Sequence, residues 1–587
     1  MTQFNIPRSA ALLASLTAGA SGLMAQQSKA DLSAQRNSSR PNIVLVISED
    51  LSPRWHCFGD PIARTPNLDA LAEEGVRLTN VHTMCGVSGP SRSGLVTGIF
   101  QNFTNMPHMR SCQYSKGPYY AVPQPDVKGY PELLRRSGYF TYCDVKFDYQ
   151  FTSPTAPGAF SLFNEIENGG YSDINAHKLK PRWREYDMKG RPFYFNYNPQ
   201  ITHESGLFRP DDPTMPKWGL ASAKRQAEMR ELYKDRIVPT DPKKVTTKPF
   251  FIDTKASRKE IALFYDNIQV MDCEVGDLIK NLKDDGLWDN TIFIVTTDHG
   301  DCLPRSKRDI YNSSTHVPMI VHVPDKYRPA WLGADGTAND RLISFEDLPV
   351  TFLNIAGVPV PEQLHGINLA QDNPEKREFF YVNRARQAGA QWQSYAVQDN
   401  DYEYIRNLSD DPNGFSLPYR NILSTVKDLN AAHDKGTLPE DMKSWYEKRP
   451  VEELYDLKND PNEFHNIAAD PAYAQQLNRF RKALDNFRDR GNDAMLMPED
   501  SLRKACLDEN GNQRVTESPY VTQDEINRKV YISNLTDYAS IGYSFDGKFW
   551  ELYTKAFSVP ADADKVYVKA VRYGWKESET KTYNLKH

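Results

Sequence analysis

The sequence predicts an α/β fold: a large, mostly parallel sheet flanked by helices, then a smaller α+β C-terminal domain and a β-rich extension. Three observations lead to this prediction. Short apolar, β-branched runs alternate with segments of helical spacing, as in sheets that helices cover on both faces. Two of these runs end abruptly in acidic residues. From about residue 375 the pattern changes to short strands and turns, and beyond about residue 500 strands dominate.

The first predicted strand covers residues 43–47, which are only Ile, Val and Leu, as expected of a strand buried on both faces. It is followed at once by Glu49 and Asp50. A short helix is predicted over residues 65–75, with a proline near its start and a glycine at its end. A second strand–helix unit is predicted to begin near Thr79.

The clearest predicted helix has Ser257 and Glu260 as a capping box and ends at Gly286, with apolar residues at helical spacing between them. Residues 291–295 then form another buried strand, and Asp298 follows it. Ligands of open α/β sheets bind at the carboxyl ends of the strands. The acids that follow both strands therefore predict a site at that edge of the sheet.

The second domain is predicted to contain short strands joined in part by a hairpin turn, and one amphipathic helix. These elements cover residues 379–382, 395–397, 402–405 and 473–487. Beyond residue 500, strands at 539–545 and 566–572 predict one of two arrangements. They form a small appended β-sandwich, or they add strands to the second domain.

Composition excludes several classes of protein. The chain has 587 residues, of which 39% are hydrophobic and 25% charged, as is typical of globular proteins. Its 71 basic and 77 acidic residues predict neither a nucleic-acid partner nor an anionic membrane surface, and no segment predicts a membrane span. The seven cysteines are odd in number, widely spaced and without a C-x-x-C pair, unlike a disulfide scaffold or a zinc module. One or two disulfides remain open.

The N-terminal segment has the pattern of a secretory signal peptide. Arg8 is the only charge before Lys29, residues 10–20 are apolar or small, and a small-residue cleavage site ends at Ala25. Export to the periplasm or the extracellular medium is therefore predicted. The predicted division of the chain is residues 1–25, 40–375, 376–500 and 510–587.

Residues 85–98 are the most specific motif in the chain. They form a loop of small residues that opens a helix, and a helix N-terminus favours an anion and activates a nucleophile. Arg92, one turn into this helix, adds a fixed positive fork. Taken alone, Ser-x-Pro-Ser-Arg is in most proteins only a helix cap with a surface arginine.

The motif does not stand alone, and the chain resembles the sulfatase family of the alkaline-phosphatase-like superfamily. The resemblance runs from Pro41 to about Ala468, and its texture is closest to the heparan N-sulfatase-like branch. Five segments carry it in the family's order: residues 41–50, 65–76, 88–98, 295–318 and 453–461.

The resemblance implies that Ser88 is oxidised to formylglycine (3-oxoalanine), the serine type of the family, by a formylglycine-generating maturation enzyme. Cys85 is three residues out of register for this role. The resemblance also implies one divalent cation, Ca²⁺ or alternatively Mg²⁺, because the aligned ligands offer hard oxygens. Those ligands are Glu49, Asp50, Ser88, Asp298 and His299.

The resemblance assigns Arg92, Lys146 and Lys307 to the sulfate group, and His203 to protonation of the leaving alcohol. In place of the family's usual histidine two residues after the conserved lysine, this chain has Asp148. Asp148 either deprotonates the hydrated aldehyde or pairs with the lysine.

The predicted function is that of a secreted sulfatase that acts on a sulfated polysaccharide or oligosaccharide. One alternative is an N-sulfoglucosamine sulfohydrolase (sulfamidase), and a second is a phosphomonoester or phosphonate hydrolase of the same superfamily. A non-enzyme alternative is a glycan-binding pseudoenzyme that uses the C-terminal strands and their aromatic residues.

Overall fold

A computed structural model describes most of the chain beyond residue 38. The described residues are 39–109, 116–144, 146–152, 160–167, 180–185, 188, 190–213, 215–387, 390–412, 417 and 419–586. The predicted signal peptide (residues 1–25) and Cys112 lie outside them. The mixed α/β architecture, with one large sheet and smaller antiparallel sheets towards the C-terminus, confirms the predicted fold class.

Within the described residues the large sheet has nine strands. They are β1 (Asn42–Ser48), β2 (Val76–His82), β3 (Phe140–Asp144), β4 (Glu165–Glu167), β5 (Phe193–Tyr197), β6 (Thr291–Thr297), β7 (His316–His322), β8 (Ala338–Asn339) and β9 (Ile343–Ser344). Their order is β4-β3-β5-β1-β6-β7-β2-β8, and β9 also pairs with β2. Among these strands only β7 runs antiparallel to its neighbours, β6 and β2.

The central pair, β1 and β6, places the site. Both strands are buried along their whole length and run parallel, with Ser48 opposite Thr297. Alternate β1 residues face two different hydrophobic clusters, because successive side chains of a strand point to opposite faces. Because the last residues of the two parallel strands are paired, the residues just after β1 and just after β6 lie side by side at the same edge of the sheet.

Helices cover both faces of this sheet and continue into the second domain. They are α1 (Pro66–Glu73), α2 (Ser88–Thr97), α3 (Tyr130–Arg136), α4 (Lys217–Leu232), α5 (Lys255–Asp284), α6 (Asn312–Thr315), α7 (Asp347–Ile355), α8 (Ser424–Asp434), α9 (Glu440–Lys443), α10 (Ala474–Arg488) and α11 (Glu499–Cys506). Among the described residues, no helix combines the length and the apolar character that crossing a bilayer requires.

The predicted capping box of α5 is wrong. Thr254 is the N-cap, and its side chain accepts hydrogen bonds from the backbone N–H groups of Ala256 and Ser257. Ser257 closes the box as the third helical residue by accepting from the Thr254 N–H at 2.9 Å. Glu260 instead accepts from the first N–H groups of α8, so its carboxylate caps a different helix. Glu260 therefore caps α8, which is distant in sequence, and not its own helix as the local spacing had predicted.

The second domain is a four-stranded antiparallel sheet packed on α10. Its strands are β10 (Phe380–Arg384), β11 (Ser394–Gln398), β12 (Tyr402–Asn407) and β13 (Glu452–Asp456), paired in that order. The predicted hairpin between β11 and β12 is confirmed. Tyr381 of β10 stacks on Phe487 of α10 with ring centroids 4.3 Å apart, which fixes the helix against the sheet.

The C-terminal strands form two small sheets around a shared hydrophobic cluster. One contains β14 (Tyr520–Asp524), β15 (Lys529–Ser533) and β18 (Phe557–Ser558), and the other β16 (Ser540–Ser544), β17 (Glu551–Leu552), β19 (Lys565–Val571) and β20 (Lys581–Asn584). Val530 and Ile532 of the first sheet share this cluster with Val566 and Val568 of the second. Among the described strands none pairs with the sheet of the second domain, so the geometry matches the appended-sandwich alternative.

Candidate active site

The N-terminus of α2 meets the ends of β1 and β6. The Ser91 hydroxyl donates to the backbone carbonyl of Asp298 at 2.7 Å, which ties the first turn of α2 to the loop after β6. Gly86 lets the preceding loop approach closely, because a Cβ at this position would lie 1.9 Å from the Ser314 hydroxyl. The local sequence thus fixes Ser88 as the first residue of α2 at the edge of the sheet.

Ser88 lies between two cations. It is only 4% exposed, and its Oγ accepts from Lys146 Nζ at 2.8 Å and from Arg92 Nε at 3.1 Å. Arg92 also donates to the Asn198 side-chain oxygen at 2.6 Å. The oxygen at this position therefore contacts two cations at a helix N-terminus, where a nucleophile would be stabilised as an anion.

Three fully buried carboxylates lie next to Ser88. Glu49 pairs with Lys146 at 2.8 Å and with Arg92, and Asp298 accepts from Arg92 Nε at 3.2 Å. Asp50 accepts from Lys307 Nζ through both carboxylate oxygens, at 2.7 and 2.9 Å. Its backbone φ of 52° is left-handed, a strained conformation of the kind found at functional sites.

The surroundings shift the pKa values of these three acids in different directions. Burial opposes the charge of Asp50, but Lys307 and then His203 outweigh it and hold the pKa of Asp50 well below its ordinary value. Burial is likewise outweighed at Asp298, first by His299 and then by Arg92, so the pKa of Asp298 is also lowered. For Glu49, burial and then the charge of Asp298 raise the pKa.

The residues at this edge fit a divalent cation. Single ligand atoms of Asp50, Asp298 and His299 lie within 4.8 Å of one another, as do those of a second group, Glu49, Asp50 and His203. His299 Nδ1 donates to the Gly300 carbonyl at 2.9 Å, because a carbonyl oxygen only accepts. In the neutral ring the Nε2 lone pair then faces Asp50 Oδ1 at 3.1 Å. A cation between these atoms would relieve the repulsion between a lone pair and a carboxylate oxygen.

His203 presents a hydrogen-bond donor to the same site. Its Nδ1 accepts from the Ser205 backbone N–H at 3.2 Å, so the neutral ring carries its proton on Nε2. Burial, followed by the charge of Lys307, lowers the pKa of His203 to about 3. The ring is therefore neutral near pH 7 and offers an Nε2–H group.

The structure brings together all nine residues that the sequence assigned to the site, while their individual roles stay predictions. They are Glu49, Asp50, Ser88, Arg92, Lys146, His203, Asp298, His299 and Lys307. Two further residues were missed. Asn198, just after β5, orients Arg92, and Glu204 accepts the Arg308 side chain at 2.9 Å. A weak signal existed for Asn198, since it is a polar residue that directly follows the buried strand β5.

Comparison with known proteins finds similar sequences over most of the chain. Residues 41–358 match the family described as Sulfatase, and residues 304–417 match the one described as N-sulphoglucosamine sulphohydrolase, C-terminal. An ulvan-active sulfatase of Formosa agariphila is 32% identical over 567 residues, which cover 92% of this chain and 90% of that protein.

More distant similarities cover most of the chain as well. Human N-sulphoglucosamine sulphohydrolase is 24% identical over 80% of this chain and 94% of its own. A protein solved in complex with its substrate, D-glucosamine-2-N,6-O-disulfate, matches with a TM-score of 0.53 and 18% identity. That match covers 78% of this chain and 100% of the solved chain, and it shows the shared fold alone.

Proposed function

This chain belongs to the sulfatase family and is a sulfuric ester hydrolase, and from this premise we propose that it removes sulfate groups from sulfated glycans. The observation that carries the proposal is the placement of Ser88. Its Oγ lies within hydrogen-bond distance of both Lys146 and Arg92, beside a buried cluster of carboxylates and an imidazole. Hydrolysis of a sulfate ester requires a nucleophile, fixed cations and a polar group that interacts with the leaving oxygen.

We further propose that the site works with two groups beyond the genetically encoded side chains. Asp50, Asp298 and His299, with Glu49 beside them, would hold one divalent cation, and the oxygen-rich set favours Ca²⁺ with Mg²⁺ as the alternative. Formylglycine made from Ser88 would supply, as its hydrate, one hydroxyl that attacks sulfur and a second that later expels sulfate, with the cation favouring the ionised hydroxyl.

The chain's own residues then bind and orient the sulfate group. Arg92 and Lys146 approach the Ser88 oxygen from two directions, so they neutralise charge on a sulfate held against that position. Lys307, which is 3% exposed and lies 2.7 Å from Asp50 Oδ2, provides a third cation. In a buried site such fixed charges act more strongly than they would in water.

His203 is proposed as the proton donor to the leaving oxygen. A sugar alkoxide is a poor leaving group, and a positioned acid contributes typically about 10²–10⁴-fold. The Nε2–H group described above can hydrogen-bond to that oxygen. The negative charge of a bound sulfate ester would also raise the pKa of the ring from its low value and make protonation easier.

Two classes of substrate are proposed. The extensive similarity to an ulvan-active sulfatase supports an O-sulfated polysaccharide. The match of residues 304–417 and the human relative support N-sulfated glucosamine as the second candidate. Sulfate release from defined oligosaccharides of ulvan, heparan, chondroitin and carrageenan, each paired with its desulfated form, separates the two. Release only from N-sulfated glucosamine would favour the second class.

The nucleophile is tested by mass spectrometry and mutation. Protein from a host with the serine-type maturation enzyme should carry, in the peptide that contains Ser88, a residue two hydrogens lighter than serine. Ser88→Ala should abolish sulfate release but leave the protein folded, because Lys146 and Arg92 both keep Glu49 as a partner. Fully active protein with only unmodified serine would contradict the proposed nucleophile.

We also propose that the protein is exported. The support is the sequence pattern of residues 1–25, with cleavage after Ala25. Mass measurement of the protein secreted by a bacterial host should give a chain that starts at Gln26. A chain that keeps its N-terminus and stays in the cytoplasm would refute export.

A further inference from the structure

Glu204 is a buried carboxylate at the site to which the resemblance assigns no role. It begins the short turn Glu204–Leu207 and is only 1% exposed. Its backbone N–H donates to Asp50 Oδ2 at 2.7 Å, and its side chain lies 3.2 Å from Lys307 Nζ. Both terminal nitrogens of Arg308 donate to its two oxygens. One carboxylate thus contacts two consecutive cations.

The two cations need such a partner. Lys307 and Arg308 are neighbours in the chain, and their side chains are 3% and 12% exposed, so they repel each other in surroundings that screen charge poorly. Arg308 has a φ of 73°, a left-handed conformation that is strained for a residue other than glycine. Its backbone N–H donates to the Gly86 carbonyl at 2.8 Å, so the same residue also touches the loop before Ser88.

Lys307 contacts two buried carboxylates, and Glu204 is one of them. The Lys307 ammonium has a second anchor in Asp50, whose two oxygens lie 2.7 and 2.9 Å away.

We propose that Glu204 is the positioning residue that holds Lys307 and Arg308 in place for the sulfate group. Asp50 is a proposed cation ligand, and its oxygens cannot serve a cation and Lys307 equally. Glu204 is then the anchor that keeps the ammonium directed at the site, and its bidentate pair with Arg308 fixes the strained loop. This inference rests on the proposed function insofar as Lys307 faces sulfate.

The test removes the charge of Glu204 with little change in shape. Glu204→Gln should raise KM for a sulfate ester and the inhibition constant of inorganic sulfate by at least about tenfold, with a smaller change in kcat. Glu204→Asp should recover part of the loss. Glu346→Gln is the matched control, because Glu346 is also 1% exposed and pairs with a buried arginine, Arg377, at 2.7 Å. It should leave sulfate inhibition unchanged.

A second variant covers the case in which Glu204→Gln does not fold. Arg308→Gln removes the cation of the same ion pair and should also raise the inhibition constant of sulfate. The loss of sulfate affinity in the double variant should be smaller than the sum of the losses in the two single variants. If both single variants fold and bind sulfate like the wild type, the inference is overturned. Calorimetric titration with inorganic sulfate measures sulfate binding without catalysis, so it distinguishes failure of this inference from failure of the proposed function. A wild type that binds sulfate but hydrolyses no sulfated glycan refutes only the latter.

Discussion

Each buried acid at the site is matched by a basic side chain. Four carboxylates face four basic side chains within a small volume: Glu49, Asp50, Glu204 and Asp298 against Arg92, Lys146, Lys307 and Arg308. Removing either member of such a pair leaves an uncompensated buried charge. The formal charge of −6 for the whole chain does not reveal these pairs, because net charge does not say which side chains lie close together. A sulfate site needs focused cations, and net charge does not measure them.

At the same scale, His203 should matter in proportion to the basicity of the leaving group. His203→Gln removes the donor to the leaving oxygen. It should lower kcat/KM by about 10²–10⁴-fold on a sugar sulfate but much less on an aryl sulfate, because a phenolate leaves without a proton. Steady-state rates on both substrates test this.

The control for this prediction is His56→Gln, since His56 is exposed and pairs with Asp69 away from the site. It should change neither rate. Equal losses on both substrates for His203→Gln would contradict an acid role and would indicate a binding or structural role instead.

At the scale of elements, apolar runs were the most reliable guide. β1 and β6 were predicted from composition alone, because a strand buried on both faces admits few residue types. Their acidic ends predicted one edge of the sheet correctly. The roles of Glu260 and Glu204 were not predictable, and Asn198 had only the weak signal of a polar residue directly after a buried strand. Their roles depend on register between distant strands and on α8, which local spacing does not encode.

The long helix α5 carries a buried acid that should make stability depend on pH. Glu274 is 1% exposed, and only the Tyr197 hydroxyl, at 3.3 Å, donates to it among the described residues. Burial raises the pKa of Glu274 to about 8. The folded state therefore keeps a proton that the unfolded state releases above its ordinary pKa, near 4.5. Its stabilising contribution is complete below about pH 4.5 and is lost as pH rises to about 8.

Glu274→Gln removes this proton binding and keeps the shape. Relative to the wild type, the free energy of unfolding of the variant should increase between pH 5 and pH 8.5 by about 4 kcal/mol, at 1.4 kcal/mol per pKa unit. Denaturant titrations at the two pH values measure it. Asp284→Asn, at the exposed end of α5, is the control and should show no such trend. A difference between Glu274→Gln and wild type that is the same at both pH values would refute the prediction.

At the scale of the whole molecule, the chain order of the parts does not give their packing. The C-terminal sandwich follows the second domain in sequence but docks on α3 of the first. Ser540 and Tyr573 donate to Glu132 at 2.6 and 2.8 Å, and Arg135 donates to the Trp550 carbonyl. The sequence predicted that strands exist beyond residue 500. Their docking site follows from a few buried polar contacts that have no sequence signature.

Tyr573 offers a sharp test of that docking. Its hydroxyl donates to Glu132 and accepts from the Gly129 N–H at 3.1 Å, while its ring stacks on Phe151 with centroids 4.4 Å apart. Tyr573→Phe keeps the stacking and leaves two buried polar groups without this hydroxyl, which should lower the free energy of unfolding by about 1–3 kcal/mol. The amides of α3 should then exchange faster with deuterium, although no residue of α3 is altered.

The matched control is Tyr583→Phe, whose hydroxyl bonds to the Pro519 carbonyl at 3.1 Å within the sandwich itself. It should loosen the sandwich and leave exchange in α3 unchanged. If Tyr573→Phe also affects only the sandwich, the module is attached without supporting the first domain. If it accelerates exchange in α3, the sandwich acts as part of the folded unit that carries the site, because α3 leads directly into β3 and the segment of Lys146.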